Sequence, residues 1–223
     1  MNDFEAIMRQ AAVAARELPD SAAAFDTGGD YRVEIPSVEG PEAFATVLEA
    51  AAQYGVTVHR VSQGSGIGQL LDDEIRAYVA LGAERQVEVC LFVTPRAPWN
   101  GHASALVPDG GVYGWRHLSL ATLQAAFDEV VRACELGLRS VLVSDEGLIA
   151  LIGQARRDGR LPADLVVKVS ALAGIANPLG ARLLSDSGAD TLNIAGDAAA
   201  ATWPRSARPR PRCSTCISRG RTV

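Results

Sequence analysis

"RSVLVSDEGLIALIGQARRDGRLPADLVVKVSA" (139–171) is one complete strand–helix–strand unit, and its reading decides the fold. "RSVLVSD" (139–145) and "LVVKVSA" (165–171) are short runs rich in Val and Leu, the length of a strand buried on both faces in a parallel sheet. "EGLIALIGQARRDG" between them is a helix with acid at its start and base at its end. Two adjacent strands joined by a helix run parallel, so the unit belongs to an α/β protein.

The same rhythm extends in both directions. Further strand-like runs are "YRVEIP" (31–36), "VTVHRVS" (56–62), "VEVCLFV" (87–93) and "DTLNIAG" (190–196). Helical stretches fill the intervals: "GPEAFATVLEAAAQYG", "LLDDEIRAYVALGA", "LATLQAAFDEVVRACELG" and "NPLGARLLSDSGA". Gly55, Gly82, Gly137 and Gly188 sit where a helix C-cap favours a residue without a Cβ, and Pro41 and Pro178 sit in first turns. The interval between 93 and 139 is longer and holds "TPRAPWNGHASALVPDGGVYGWRHLS", which reads as a loop excursion on the functional face.

Repeated βα units allow a doubly wound sheet or a (β/α)8 barrel. "QGSGIG" (63–68) lacks the immediate helix and the later acid of a dinucleotide fingerprint, and the even spacing favours the barrel. Six βα units are countable, so the expected fold is an incomplete TIM-type barrel over 31–197. It follows a helical lead-in over 1–30 and precedes a basic Pro/Arg-rich tail over 198–223.

Composition narrows the function. The formal net charge of -5 and pI near 5.3 argue against nucleic-acid and membrane partners, and the N-terminus lacks a signal-peptide pattern, so a cytoplasmic protein is expected. Cys90 and Cys134 lie in apolar or helical runs and read as buried small hydrophobes. Cys213 and Cys216 have Cys-x-x-Cys spacing but supply only half a zinc site. His59, His102 and His117 have no metal-ligand spacing, and the sequence names no cofactor.

In a barrel, chemistry collects where strands run into the following loops. The polar residues there are Glu34, Glu39, Arg60, Gln63, Ser65, Arg96, Trp99, Asp145, Glu146, Lys168, Ser170, Asn193 and Asp197. Lys168 is the sharpest candidate: inside a barrel it is either a Schiff-base nucleophile or an ammonium neutralised by a carboxylate such as Asp145 or Glu146. Asp145 and Glu146 are acid/base candidates or a helix cap with its capping acid. Glu34, Arg60, Gln63, Ser65, Arg96 and Asn193 are assigned to a small-molecule or peptide substrate. "SQGSG" (62–66) either presents backbone N–H groups to a phosphate or carboxylate or forms a tight turn.

Five stretches together resemble peptidase family U32, the collagenase-like peptidases, in a shorter and mainly actinobacterial branch. They are "YRVEIPSVEGPEAF", "YGVTVHRVSQGSGI", "LFVTPRAPW", "VLVSDEGLI" and "KVSALAGIANPLGARLLSDSGADTLNIAGD", covering roughly 30–197. The resemblance implies a TIM-type barrel and a peptidase or other hydrolase. Some relatives carry iron–sulfur clusters and take part in hydroxylation or RNA modification, but their cysteine-rich signature is absent from this chain. Two other classes stand beside this one: a lyase or aldolase using Lys168, and a non-enzymatic binding protein using the tail.

The resemblance also implies a helix and a seventh strand after "LNIAGD" (192–197), where the chain reads "AAAATWPRSARPRPRCSTCISRGRTV". A frame shifted from the Ala201/Thr202 junction can encode "HLAAIRAAAPAVLDVYIEGPDG". A frameshift between Asp197 and Thr202 is therefore expected, testable on the gene. Without strands seven and eight, the first and sixth strands expose edges that favour self-association, and the chain is expected to be inactive or poorly stable.

Overall fold

The computed structural model describes residues 31–95 and 115–194. Six strands alternate with five α-helices: β1 (Glu34–Ile35), α1 (Pro41–Gln53), β2 (Arg60–Gln63), α2 (Asp72–Arg85), β3 (Glu88–Phe92), α3 (Leu120–Glu135), β4 (Ser140–Val143), α4 (Glu146–Arg157), β5 (Val166–Val169), α5 (Pro178–Ser187) and β6 (Thr191–Leu192). All neighbouring strands pair in parallel, and the sheet order follows the chain without reversal. A doubly wound sheet reverses its order at a switch point. This one does not, and α1 packs on α2, α3 on α4 and α4 on α5, so the helices share one side. That is the wall of a (β/α) barrel.

The register sorts each strand into two faces. Ile35, Val61, Val89, Leu91, Val141, Val143, Val167, Val169 and Leu192 join the apolar layer, packed with Phe44, Ile75, Tyr78, Val130, Leu148, Ile149, Ile152 and Leu184 from the helices. Glu34, Arg60, Ser62, Glu88, Cys90, Ser140, Leu142, Lys168 and Thr191 alternate with them and line the other face. Strands read as apolar on both faces thus carry most of their polar and charged residues on one of them. The period of two was masked because the polar positions are few per strand.

The sheet is strongly curled. Lys168 on β5 hydrogen-bonds Glu34 on β1, although four strand spacings, about 19 Å in a flat sheet, separate these strands. The register agrees. From Glu34 the ladder passes through Arg60 and Glu88 and extends to positions 138 and 164, so Lys168 lies 168 − 164 = 4 residues above Glu34's line. Four residues over four strand steps is one per strand, the stagger of an eight-stranded barrel of shear eight. At this stagger alternate strands share a layer. Glu34, Cys90 and Lys168 form one, and Arg60, Ser140 and Thr191 another.

Local chemistry sets the boundaries. Asp145 caps α4 through Leu148 N (2.8 Å), Ser119 caps α3, and Asn177 caps α5. Gly82 is not a cap. α2 continues to Arg85 and ends at Gln86 in the left-handed region (φ 56), while a Cβ on Gly82 would stand 2.7 Å from Val89 Cγ2 and 2.8 Å from Val87 O. Its smallness lets α2 lie against β3. Gly153 does the same between α4 and α5, where a Cβ would stand 2.2 Å from Ser187 O. Arg156 fastens this corner, donating to Leu165 O and Gly188 O and pairing with Asp190 at 2.7 Å.

Candidate functional site

The curled face holds four charges. Glu34 accepts from Lys168 Nζ and from Ser62 Oγ (2.7 Å). Its second oxygen lies 3.6 Å from Arg60 Nη1, and Arg60 Nη2 bonds both oxygens of Glu88 at 2.8 and 2.9 Å. Ser140 Oγ adds a bond to Glu88 Oε1 at 2.8 Å. The side chains of Lys168, Glu34 and Arg60 are 2, 3 and 4 % exposed, so these ions have left water and depend on each other. Two cations and two carboxylates leave the group neutral.

Burial alone would raise the Glu34 carboxyl, but Lys168, through its charge and hydrogen bond, outweighs it with help from Ser62 and Arg60. Glu34 is therefore held below the ordinary carboxylate range and is ionised at neutral pH. Burial likewise disfavours the Arg60 cation, and Glu88 overcomes it, shifting its pKa up. Cys90, buried in the layer of Glu34 and Lys168, is pushed by burial up to about 11 against the pull of Lys168 and Arg60, so it stays a thiol. Burial takes Cys134 to about 11 as well, in keeping with a packed small hydrophobe.

The partner of Lys168 is thus Glu34, a residue 134 positions away, rather than Asp145 or Glu146. Those two are engaged elsewhere. Besides capping α4, Asp145 accepts from the backbone N–H of His117 at 2.9 Å. Glu146 forms a two-pronged pair with Arg116, with Nε–Oε2 and Nη2–Oε1 both at 2.8 Å. Ser144 Oγ donates to Trp115 O (2.9 Å), and the Trp115 ring stacks on Phe92 at 6.1 Å. Together they lay residues 115–117 over the C-terminal ends of β3 and β4. Burial lowers the His117 pKa against the opposing effect of Asp145, and its Nε2 has no hydrogen-bond partner among the described residues.

The "SQGSG" turn does hold a carboxylate, and it is the chain's own. Glu39 Oε1 accepts from Gly64 N at 2.8 Å and Ser65 N at 3.3 Å, and Oε2 accepts from Ser65 Oγ at 2.5 Å. Glu39 is presented by a pinned loop. Tyr78 on α2, fully buried and stacked on Phe44, donates to Val38 O (2.7 Å) and accepts from Gly40 N. Gln63 lies on the apolar-layer side of β2, where its amide spans Gly66 N (3.0 Å) and Ser65 Oγ (2.5 Å), bracing the same turn. Ser65 and Gln63 therefore build the mouth of the barrel.

Arg60 and Glu88 are the first residues of β2 and β3, so the charged group reaches from the N-terminal end of the wall to its middle. Asn193 follows β6 at the C-terminal end. Its N–H bonds Val169 O (2.9 Å), while its Oδ1 is buried without a partner among the described residues. Arg96, Trp99, His102, Asp197, Cys213, Cys216, the lead-in and the tail lie outside the described residues. Glu88, Ser62, Ser140 and Thr191 were not singled out from the sequence. A strict period-two count along "VEVCLFV" and "RSVLVSD" was the signal that could have found Glu88 and Ser140.

Among the described residues, no group of three or more His, Cys, Asp and Glu side chains is arranged to hold a metal ion, and no helix is long and apolar enough to cross a membrane. No protein-family model and no curated protein matches the chain. Among solved structures the chain is similar to a U32 peptidase, with a TM-score of 0.46 and 20 % identity over 77 % of this chain and 62 % of that one. It is also similar to the tetrameric deoxyribose phosphate aldolase of Aeropyrum pernix, with a TM-score of 0.29 and 17 % identity over 74 % of this chain and 84 % of the aldolase. The chain thus spans 62 % of the length of the U32 peptidase.

Proposed function

We propose that the chain is the barrel core of a hydrolase of the U32 peptidase type, acting on the amide of a peptide substrate. One observation carries this reading: the inner face holds three buried charges, Glu34, Arg60 and Lys168, neutralised with the partly exposed Glu88, where a barrel interior is ordinarily packed with Val, Ile and Leu. Burying ions costs several kcal/mol each even when paired, about 3–5 kcal/mol being exposed when one partner is lost, so packing alone favours replacing them. Buried titratable groups that perturb each other are what acid–base chemistry requires. The loop stretches that resemble those of the U32 family favour this class.

In this reading Glu34 and Lys168 are the catalytic pair. The Glu34 carboxylate takes a proton from water, and the resulting hydroxide attacks the amide carbonyl. The Lys168 ammonium, already bonded to Glu34, faces the developing oxyanion and returns a proton to the leaving amine. Lys168, with Ser62 and Arg60, holds Glu34 ionised, Glu88 holds Arg60 in place, and Asp145, Glu146, Gln63 and Ser65 shape the mouth.

The test is hydrolysis of fluorescently quenched gelatin and casein by the purified chain. Activity should fall at least 100-fold in Glu34→Gln, in Lys168→Met and in the double variant Glu34→Leu/Lys168→Met, which leaves neither partner of the pair buried alone. Undiminished turnover in the folded double variant would end this assignment.

A second reading has one observation in its favour: Lys168 is a buried strand lysine hydrogen-bonded to Glu34 inside the barrel, the position in which a Schiff-base lyase or aldolase carries its lysine. Borohydride reduction with a carbonyl substrate separates the two, since only the lyase leaves a stable adduct on Lys168.

A further inference from the structure

Arg60 of the charged group and its inward-facing neighbour Thr191 are almost fully buried yet incompletely hydrogen-bonded. Arg60 is 3 % exposed, and its Nε and Nη1 have no hydrogen-bond partner among the described residues. Thr191 is 1 % exposed, and its Oγ1 has none either. Asn193 Oδ1 is buried and unpartnered in the same sense, and Glu34 Oε2, 3.6 Å from Arg60 Nη1 in an ion pair, makes no hydrogen bond among the described residues.

These side chains stand on one face of the sheet. Arg60 and Lys168 both reach Glu34, which fixes the concave side as theirs. Thr191 is the cross-strand partner of Lys168 and so points the same way, and Asn193 is two residues further along that face. Continuing the ladder from Arg60 through positions 88, 138 and 164 reaches position 187 on the β6 line, so Thr191 lies 191 − 187 = 4 residues above it. At one residue of stagger per strand, Arg60 and Thr191 occupy a single layer on opposite walls, directly below the layer of Glu34 and Lys168.

The chemistry of an occupant follows from what is unsatisfied. Arg60 offers donors, Glu34 and Asn193 offer acceptors, and Thr191 offers either. The four charges already cancel, so an anionic or cationic guest would enter as an uncompensated buried charge. A primary carboxamide is neutral, with one oxygen for Arg60 and two N–H groups for Glu34 Oε2 and Asn193 Oδ1.

We infer that the barrel interior between Arg60, Glu34, Thr191 and Asn193 is a binding subsite for a primary carboxamide group. This deepens the hydrolase reading by naming a side-chain or terminal carboxamide as what the substrate inserts, and it is measured without turnover. The probe is acetamide, followed by saturation-transfer NMR on the full-length protein, with N,N-dimethylacetamide (no N–H) and sodium acetate (charged) as comparators. Acetamide alone should give a signal, weakened at least tenfold in Thr191→Val, which keeps the side-chain shape, and in Asn193→Ala, which serves if the first variant does not fold. Equal signals from all three compounds, no signal from acetamide, or full binding in the folded variants would overturn the inference. Binding without hydrolysis leaves the subsite standing and removes the hydrolase. Hydrolysis without acetamide binding does the reverse.

Discussion

Replacing Lys168 by methionine removes the ammonium that Glu34 was buried with, leaving a carboxylate 3 % exposed beside Ser62 and a guanidinium 3.6 Å away. Glu34→Gln leaves the opposite remainder, a buried amine next to a neutral amide. Breaking one side of a buried pair costs about 3–5 kcal/mol, a large part of the roughly 5–15 kcal/mol that holds a domain together. At a urea m-value of about 2 kcal/mol/M, each single variant should lose about 1.5–2.5 M in midpoint. The double variant Glu34→Leu/Lys168→Met removes both ions and should return to within about 1 kcal/mol of the parent. The singles and the double thus form a cycle with a coupling of several kcal/mol, read by circular dichroism in urea. Such coupling exists only if β1 and β5 approach across a curled sheet. Additive losses below about 1 kcal/mol per variant would refute both the pair and the curl.

Three further outcomes follow. Because the folded-state pKa of Glu34 is depressed, its stabilisation is complete above the unfolded carboxylate pKa of about 4.3 and is lost as pH falls through the lower folded value. Acid titration of the melting temperature should show this loss in the parent and a smaller one in the double variant, which lacks the Glu34 carboxyl. Burial depresses His117 similarly, so its contribution is full above about 6.5 and lost below, and NMR titration of its ring protons should give a midpoint under that value. Tyr78→Phe should cost about 1–3 kcal/mol in urea unfolding, because the phenol donates to Val38 O and accepts from Gly40 N. An unchanged midpoint would show that the loop carrying Glu39 is held without it.

Much of the fold was legible along the chain because its causes are local. Each strand read from the sequence contains or overlaps an observed one, and the caps at Asp145 and Asn177 act within three residues of themselves. Gly82 misled because a glycine near a helix end has two uses. The close approach of β3, visible only in three dimensions, selects the second. "SQGSG" was readable as a cradle for an anion, but nothing in those five residues says that the anion is Glu39, 25 positions earlier.

The candidate site divides in the same way. The alternation along the chain places Glu34, Arg60 and Lys168 on barrel strands and leaves Lys168 as either a desolvated nucleophile or an ammonium with a carboxylate partner. Only the tertiary structure decided that the counter-charge is Glu34, that Glu88 completes the set, and that Asp145 and Glu146 are spent on a cap and a surface pair. The physical reason is the stagger: one residue per strand, accumulated over four strand steps, sets which inward side chains share a layer. That sum depends on the pairing of every intervening strand, and no single segment records it.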